Sequence, residues 1–142
     1  MEKSYRLRAA EIKDEKRIRE LIALFELDGA GFEIQQFIIA EKNGEIKGIG
    51  RVREHVDCSK ACTLGILHEE RKKGLALALM KDMIQKAQRK DSLYLVCIIP
   101  EFFYPLGFEI VNEPWPEKIK EKLHRCETEL SVPEKYVVMK LY

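Results

Sequence analysis

The sequence predicts an α/β domain, also classed as α+β, whose central sheet contains both parallel and antiparallel strands. Residues 62–99 contain an apolar run, a segment with apolar residues at helical spacing and a second apolar run, the pattern of a βαβ unit with two parallel strands. In residues 37–54, two strand-like runs flank Asn43-Gly44, the dipeptide most typical of a tight hairpin between antiparallel strands. We therefore expect a mixed sheet covered by helices.

The first third of the chain predicts an edge strand, a helix and a loop before this hairpin. Tyr5, Leu7 and Ala9 alternate with arginines, which is typical of a strand with one exposed side. Residues 26–35 contain Asp-Gly-Ala-Gly and predict a loop with at most a short helical turn. Between them we expect a helix capped near Asp14, because apolar residues then recur at helical spacing: Ile18, Leu21, Ile22 and Phe25.

The βαβ unit begins with a strand at residues 62–67, in which Gly65 predicts a bulge or the close approach of a ligand. Its helix covers residues 75–87, and its second strand covers residues 93–99. In the aromatic segment that follows, Pro105 limits any helix to a short or irregular one, and Gly107 is expected to end it in a left-handed conformation. A helix from residue 117 to 125 and a closing strand from 135 to 141 complete the expected elements.

Length and composition predict one domain over residues 1–142, since a chain of 142 residues can bury a substantial core. Apolar residues make up 46% and charged residues 35%, a balance typical of globular rather than disordered chains. The net charge of +1 gives no reason to expect nucleic acid or an acidic membrane as a partner. No apolar run reaches membrane-spanning length and no secretory core is present, so we expect a cytoplasmic protein.

Residues 68–74 form a charged turn between the first strand and the helix of the βαβ unit. The beginning of a helix offers unpaired N–H groups and a partial positive charge, a combination that suits a phosphate. Gly74 has no Cβ, so the backbone can approach phosphate oxygens there, while Ala76 keeps the first helical turn narrow. Arg71, Lys72 and Lys73 add positive charge. The alternative is a solvated helix cap, since Lys-Lys-Gly before a helix is common.

The spacing Arg71-x-x-Gly74-x-Ala76 resembles the pyrophosphate-binding signature of the GCN5-related N-acetyltransferase (GNAT) family. The hairpin at residues 39–48 and the Leu-Gly-Phe sequence at residues 106–108 are similar to the same family, and the resemblance covers nearly the whole chain. It implies the GNAT fold: a mostly antiparallel sheet with helices on both faces and a parallel pair that splays apart at strands four and five.

The resemblance implies acetyl-coenzyme A as the cosubstrate and assigns residues to three of its parts. The pantetheine arm would pair with the strand edge at Ile66 and Leu67, and the Ile66 amide would stabilise the oxyanion of the tetrahedral intermediate. Phe103, beside the thiol, stands where many family members have a tyrosine acid, so Tyr104 is the candidate acid, with an ordinary half-buried tyrosine as the alternative. The pyrophosphate would bind the turn: Arg71, Lys72, Lys73, Gly74, Leu75 and Ala76.

Few other residues are candidates for catalysis or metal binding. No acidic residue lies in residues 58–67, where many family members have a glutamate base. The base is therefore His55 or Glu54 acting through a water molecule, or no residue at all. The cysteines lack the paired spacing of metal ligands, so we expect reduced thiols and no metal site: Cys58, Cys62, Cys97 and Cys126.

These features imply an N-acetyltransferase that moves an acetyl group from acetyl-coenzyme A to the primary amine of a small molecule by direct attack. An amino acid is the first candidate, because residues 114–126 are similar to the N-acetylglutamate synthase-like subgroup. Two alternatives stay open: an acyl-coenzyme A-binding regulatory module with little or no turnover, and a protein or peptide N-acetyltransferase. Residues 26–35 are too short for the family's usual second helix, which leaves the acceptor pocket open or completed by another subunit of a homodimer.

Overall fold

Seven strands form one mixed sheet in the computed structural model, which describes residues 5–129 and 135–142. The order across the sheet is β1-β2-β3-β4-β5-β7-β6, and the pair β4–β5 is parallel in a mostly antiparallel sheet, as predicted. The strands are β1 (Arg6–Ala9), β2 (Phe37–Lys42), β3 (Glu45–Glu54), β4 (Ser59–Ile66), β5 (Leu93–Cys97), β6 (Phe108–Ile110) and β7 (Val137–Leu141).

The described residues also form four α-helices and several short 3-10 turns. The helices are α1 (Glu15–Phe25), α2 (Leu75–Lys86), α3 (Pro100–Phe103) and α4 (Glu117–Glu129). Each predicted helix is present, and α4 continues four residues beyond its expected end at residue 125. Within residues 5–129 and 135–142, no helix combines the length and apolar character needed to cross a membrane.

The chain forms two compact units. The first contains the residues up to Val52 together with Cys62–Lys86, and the second contains Arg53–Ala61 together with Ala87–Tyr142. Strands β3 and β4 each contribute residues to both units. The single domain expected from the length of the chain stays a prediction.

The predicted hairpin at Asn43-Gly44 is confirmed in the first unit. Strands β2 and β3 pair antiparallel up to Lys42 and Glu45, which lie opposite each other. Asn43 and Gly44 have φ angles of 57° and 78°, and two successive left-handed residues are typical of the type I′ turn whose twist matches that of the strands. The turn thereby fixes the register of both strands.

Helices α1 and α2 pack on opposite faces of the sheet in the first unit. Successive residues of a strand point to opposite faces, and Ile49 of β3 lies in a buried cluster with α1. The neighbouring Gly48 and Gly50 face the other side of the sheet, where α2 lies. A Cβ added at Gly48 would lie 3.1 Å from Leu79, and a Cβ added at Gly50 would lie 2.5 Å from the sulfur of Met83. These glycines therefore allow α2 to lie close to the sheet.

Strand β4 has a left-handed backbone at Thr63, two residues before Gly65, for which the sequence predicted a bulge or the close approach of a ligand. Thr63 has a φ angle of 53°, which is left-handed and rare for a β-branched residue. Packing explains why a glycine stands at position 65, because a Cβ added there would lie 2.4 Å from the ring of Phe25. The close neighbour of this glycine is therefore the end of α1.

Asp14 occupies the N-cap position of α1, where the sequence predicted the cap. The helix begins at Glu15 directly after a 3-10 turn, and the Asp14 side chain makes no capping hydrogen bond to it. The carboxylate of Asp14 accepts instead the Glu11 N–H at 2.7 Å and two Arg8 nitrogens at 2.9 and 3.1 Å. These bonds to Arg8 lower the pKa of Asp14 and tie the turn to β1.

The second unit is built on the start of β4 together with β5, β6 and β7. Ser59 lies opposite Leu93 in the parallel pair, and β7 runs antiparallel to both β5 and β6. Helix α4 packs on this part of the sheet through a buried cluster of Ile119, Cys58 and Val138. Apolar burial of this kind is the main stabilising contribution to such a layer.

The aromatic segment after β5 is a broken helix, as the position of Pro105 predicted. α3 covers only four residues and continues as a 3-10 turn over Tyr104–Leu106. Gly107 ends this turn with a φ angle of 101°, which confirms the expected left-handed cap. The side chains of Phe103 and Tyr104 therefore belong to two differently wound turns.

The connection from β4 to α2 is anchored by the carboxylate of Glu70, which is only 6% exposed. It accepts a hydrogen bond from the Tyr5 hydroxyl, and the Nζ atoms of Lys42 and Lys73 lie 3.8 and 3.6 Å away. The Tyr5 bond first, and the lysines after it, lower the pKa of Glu70. The residue therefore joins the charged turn to β1 and β2.

We expect Glu70→Gln to lower the melting temperature near neutral pH but not in acid. A folded-state pKa below the ordinary glutamate value of about 4.3 stabilises the fold above that value and stops doing so as the pH falls through the lowered pKa. The difference in Tm between wild type and variant should therefore shrink as the pH falls from neutral to below the ordinary glutamate value. The exposed neighbour gives the control Glu69→Gln, and an equal Tm difference at every pH for Glu70→Gln would contradict the prediction.

Candidate functional site

The turn that precedes α2 presents backbone N–H groups and positive charge on the surface of the first unit. Residues 71–74 are exposed, and Lys72 and Gly74 have left-handed φ angles of 64° and 80°. The first helical hydrogen bond runs from the Ala78 N–H to the Gly74 carbonyl at 3.1 Å. A helix leaves the four N–H groups before such a bond without a partner inside the helix, and its N-terminus carries about half a positive charge. The turn is therefore built to bind an anion.

Gly74 is the position where this turn leaves room for a ligand. A Cβ added there would have no heavy atom within 4 Å, so the protein itself places nothing against it. The left-handed conformation still disfavours any other residue. The neighbouring Leu75 has a buried side chain and offers only its amide, while Ala76 is half-buried and small.

Arg71 and Lys73, two of the three cations of the turn, have partners within the protein. Arg71 donates from Nε to the carbonyl oxygen of Ile66 at 3.1 Å. A guanidinium has five N–H donors, so this bond leaves four for an anion. Lys73 lies beside the Glu70 carboxylate, and Lys72 is exposed. The predicted pyrophosphate residues 71–76 thus lie together in one turn of the first unit.

Ile66 and Leu67 differ in which backbone groups are available. The Leu67 N–H donates to the Lys47 carbonyl at 3.0 Å, and the Leu67 carbonyl accepts the Glu70 N–H at 2.9 Å. Because backbone groups of successive strand residues point to opposite edges, the Ile66 N–H points away from β3. Of the two residues predicted for the pantetheine arm, Ile66 keeps its N–H for an acceptor outside the β3–β4 pair.

Phe103 and Tyr104 lie in the second unit and differ in burial. Phe103 is 8% exposed and packs edge-on against Phe102 and Phe108, with ring centroids 5.0 and 6.0 Å apart. Tyr104 is 48% exposed. Of the two residues, only the solvent-facing Tyr104 therefore has a hydroxyl that could protonate a leaving thiolate. The role of Tyr104 as an acid stays a prediction.

The two candidate bases also lie in the second unit. Glu54 accepts hydrogen bonds from the Ser59 hydroxyl and, at 2.9 Å, from the Gln88 N–H, so both of its oxygens hold the surrounding loops. His55 has its Nε2 atom buried without a hydrogen-bond partner. Burial, followed by the nearby Lys60 and Arg53, lowers the pKa of His55 to about 4. His55 is therefore neutral at pH 7, but its low pKa makes it a weak base.

The cysteines give no sign of metal binding. All four are free thiols, and Cys126 is 3% exposed in a packed position. Burial raises the pKa values of Cys58 and Cys97 to about 11, so both are protonated at neutral pH. Among residues 5–129 and 135–142, no group of three or more His, Cys, Asp or Glu side chains could hold a metal ion.

Sequence reasoning missed Glu70 and Thr63. Glu70 reads as one more charge of a solvated turn, and its burial depends on Tyr5, which lies 65 residues away in the sequence. Thr63 reads as an ordinary strand residue, because threonine is common in strands. Only the proximity of other segments in the first unit distinguishes them.

Comparisons with known proteins point to one enzyme family. A family model described as an acetyltransferase (GNAT) domain matches residues 13–114. N-acetylglutamate synthase from Neisseria gonorrhoeae, complexed with coenzyme A and N-acetyl-glutamate, superposes with a TM-score of 0.77 at 20% identity, over 99% of this chain and 35% of that one. The diaminobutyrate acetyltransferase EctA from Paenibacillus lautus was solved in complex with L-2,4-diaminobutyric acid and coenzyme A. It superposes with a TM-score of 0.66 at 15% identity, over 97% of this chain and 94% of that one.

A third similar structure binds a peptide-like ligand. Naa50 from Arabidopsis thaliana, in complex with the bisubstrate analogue CoA-Ac-MVNAL, superposes with a TM-score of 0.67 at 18% identity, over 98% of this chain and 99% of that one. A sequence comparison with curated proteins gives no significant match. The chain spans about a third of the length of the N-acetylglutamate synthase that it resembles.

Sequence identities of 15–20% to solved structures show the fold alone, and the family follows from the match to the GNAT domain model. That match covers well over half of the chain and includes the whole of α1, the hairpin, β4, the turn and α2. The mostly antiparallel sheet and its parallel β4–β5 pair are those that the resemblance implied. The chain belongs to the GNAT acetyltransferase family.

Proposed function

We propose that this acetyltransferase transfers the acetyl group of acetyl-coenzyme A to the primary amine of a small molecule, with an amino acid as the first candidate. The observation that carries the proposal is the turn at residues 71–76, where unpaired N–H groups, three cations and the open Gly74 coincide. A pyrophosphate presents several anionic oxygens, and a helix N-terminus with basic residues matches it in charge and in donors.

Catalysis on this scheme depends on position more than on side-chain chemistry. The Ile66 N–H would donate to the thioester carbonyl and stabilise the oxyanion that forms when the amine attacks. An amine held beside the thioester needs no covalent enzyme intermediate, because orientation supplies much of the rate. With Glu54 fully hydrogen-bonded and His55 weakly basic, the amine would lose its proton to solvent or through a water molecule.

The choice of acceptor rests on the similar structures and on the α1–β2 connection. Two of the three structures described above carry amino-acid ligands, which favours an amino acid. The connection holds a single 3-10 turn, Ile34–Gln36, instead of a helix. An open acceptor region of this kind also suits a peptide, and the Naa50 complex makes a protein or peptide acceptor the second candidate.

The non-catalytic alternative is a module that binds an acyl-coenzyme A and turns it over little or not at all. It is favoured by two departures from the family's pattern: Phe103 stands where many relatives have a tyrosine, and no acidic residue lies in residues 58–67. A homodimer that completes the acceptor pocket and a cytoplasmic location remain our predictions. Neither is needed for the acetyl-transfer chemistry.

A screen of amine acceptors tests the proposal directly. Wild-type protein with acetyl-coenzyme A is mixed with amino acids, diamino acids, polyamines and short peptides, and release of the free thiol is followed. We expect turnover with one group of small amines and with few peptides. Turnover with peptides alone would favour the second candidate, and tight binding without turnover on any amine would favour the regulatory module.

The turn makes a prediction about cofactor affinity. Gly74→Glu should weaken binding of coenzyme A by about tenfold or more, because one lost charge-assisted hydrogen bond is worth about 1.5–3 kcal/mol. The fold should survive, since a Cβ added at Gly74 meets no heavy atom within 4 Å. Isothermal titration calorimetry gives the affinity and thermal unfolding gives the stability.

Two variants separate strain and charge in this experiment. Gly74→Ala adds the strain of a left-handed residue without a charge. Gly44→Glu is the matched control, because Gly44 is also left-handed, at a φ angle of 78°, and open to solvent, but lies in the hairpin. A Gly74→Glu protein that binds coenzyme A as tightly as wild type would remove the turn from the site.

The candidate acid makes a prediction about turnover. If Tyr104 protonates the leaving thiolate, Tyr104→Phe should lower kcat about a hundredfold, the low end for general acid catalysis. KM should change little, because the hydroxyl acts in the transition state. Steady-state kinetics with the best acceptor from the screen measures both constants.

The exposed Tyr142 provides the control for loss of a tyrosine hydroxyl, as Tyr142→Phe. Turnover of Tyr104→Phe at the wild-type rate would leave solvent as the proton donor. The converse variant Phe103→Tyr asks whether the position usual in the family still faces the thiol, and a gain of turnover would show that it does.

A further inference from the structure

Thr63 has a backbone conformation that a strand does not favour. Its φ angle is 53°, while its side chain is buried and only 6% of the residue is exposed. A β-branched residue in the left-handed region is a genuine outlier, and it persists only where the surroundings hold it in place. Such positions are concentrated at sites where strain contributes to function.

The surroundings that hold Thr63 come from the connection between α1 and β2. The Thr63 hydroxyl donates to the carbonyl oxygen of Asp28 at 2.9 Å. Asp28 is itself fixed by a local turn, in which its carboxylate accepts the Ala30 N–H at 3.0 Å. Gly65, which follows Thr63 by two residues in β4, packs closely against the side chains of Phe25 and Leu27. The bent part of β4 is therefore held by one hydrogen bond and by close packing on one side.

The bend lies three residues before Ile66, whose N–H is the donor required for the oxyanion. A change of φ at Thr63 rotates the peptide groups that follow it, and a strand residue released from this bond would relax towards extended backbone. The direction of the Ile66 N–H therefore depends on Thr63. The pyrophosphate turn has an anchor of its own in Glu70, which accepts the Tyr5 hydroxyl and lies beside Lys73.

We propose that Thr63 is a positioning residue for acetyl transfer: its hydrogen bond to Asp28 keeps β4 bent and aims the Ile66 N–H at the thioester carbonyl. The proposal rests on the proposed function, since it assigns Ile66 to the oxyanion. Thr63 does not touch the reacting atoms. The same bond links the strand that serves the cosubstrate to residues 26–36, the connection expected to border the acceptor.

The test uses Thr63→Val, which removes the hydroxyl and keeps the branched shape, and Thr63→Ser, which keeps the hydroxyl. Thr63→Val should lower kcat about tenfold, a fraction of the hundredfold or larger effect of deleting an oxyanion donor. KM for acetyl-coenzyme A should stay within about twofold, because the pyrophosphate turn is unchanged. Thr63→Ser should restore most of the wild-type kcat.

Thr128→Val is the matched control. Thr128 also donates from its hydroxyl to a backbone carbonyl, that of His124 at 2.8 Å, but it lies on the exposed side of α4. The Thr128→Val protein should have a lower Tm than wild type and an unchanged kcat. A merely structural role for Thr63 would likewise lower Tm and leave kcat unchanged well below the melting temperature.

A second measurement does not depend on an acceptor. The amide resonance of Ile66 should shift more with acetyl-coenzyme A than with coenzyme A, because only the first carries the thioester carbonyl that this N–H is proposed to bind. This extra shift should be lost in Thr63→Val and kept in Thr63→Ser. Wild-type kcat in Thr63→Val, an equal loss in both variants or an unchanged extra shift would overturn the inference. No turnover in wild-type protein, with the extra shift present and Thr63-dependent, would overturn only the proposed function.

Discussion

The unpaired N–H groups at the start of α2 are the constraint on which the rest of the site depends. The start of a helix leaves donors that need an acceptor, and here the turn before α2 carries three cations, Arg71, Lys72 and Lys73. A ligand with several anionic oxygens meets both needs at once. The open position of Gly74 then has a physical reason, because the protein places no heavy atom within 4 Å of a Cβ added there and so leaves space for a ligand.

A buried carboxylate in an anion-binding turn looks unfavourable, but its partners explain it. Glu70 accepts the Tyr5 hydroxyl and lies between Lys42 and Lys73, so its charge is balanced within the protein. The same contacts fix the turn to the strands that precede it. Burying one carboxylate costs free energy, but its contacts hold the backbone of the turn in place before the cofactor binds.

Local patterns predicted the elements well, and contacts between distant segments account for what they missed. Asn43-Gly44 specifies its own turn, and Pro105 with Gly107 specifies a broken helix, because each effect is confined to neighbouring residues. The turn at Gly74 was predictable for the same reason. The bend at Thr63 was not, since Asp28 and the packing on Gly65 hold it, and these come from a segment more than thirty residues away.

The α1–β2 connection is short, but the contacts within the first unit hold it firmly. Arg51, which is fully buried in β3, donates to the Gly31 carbonyl at 2.6 Å and to the Gln36 side chain at 2.7 Å. Arg19 of α1 lies 4.0 Å from the ring centre of Phe32, within the range of cation–π attraction. A segment held from the sheet and from a helix loses little entropy when an acceptor binds. Since direct attack depends on orientation, a fixed connection can serve acetyl transfer without the second helix that relatives use.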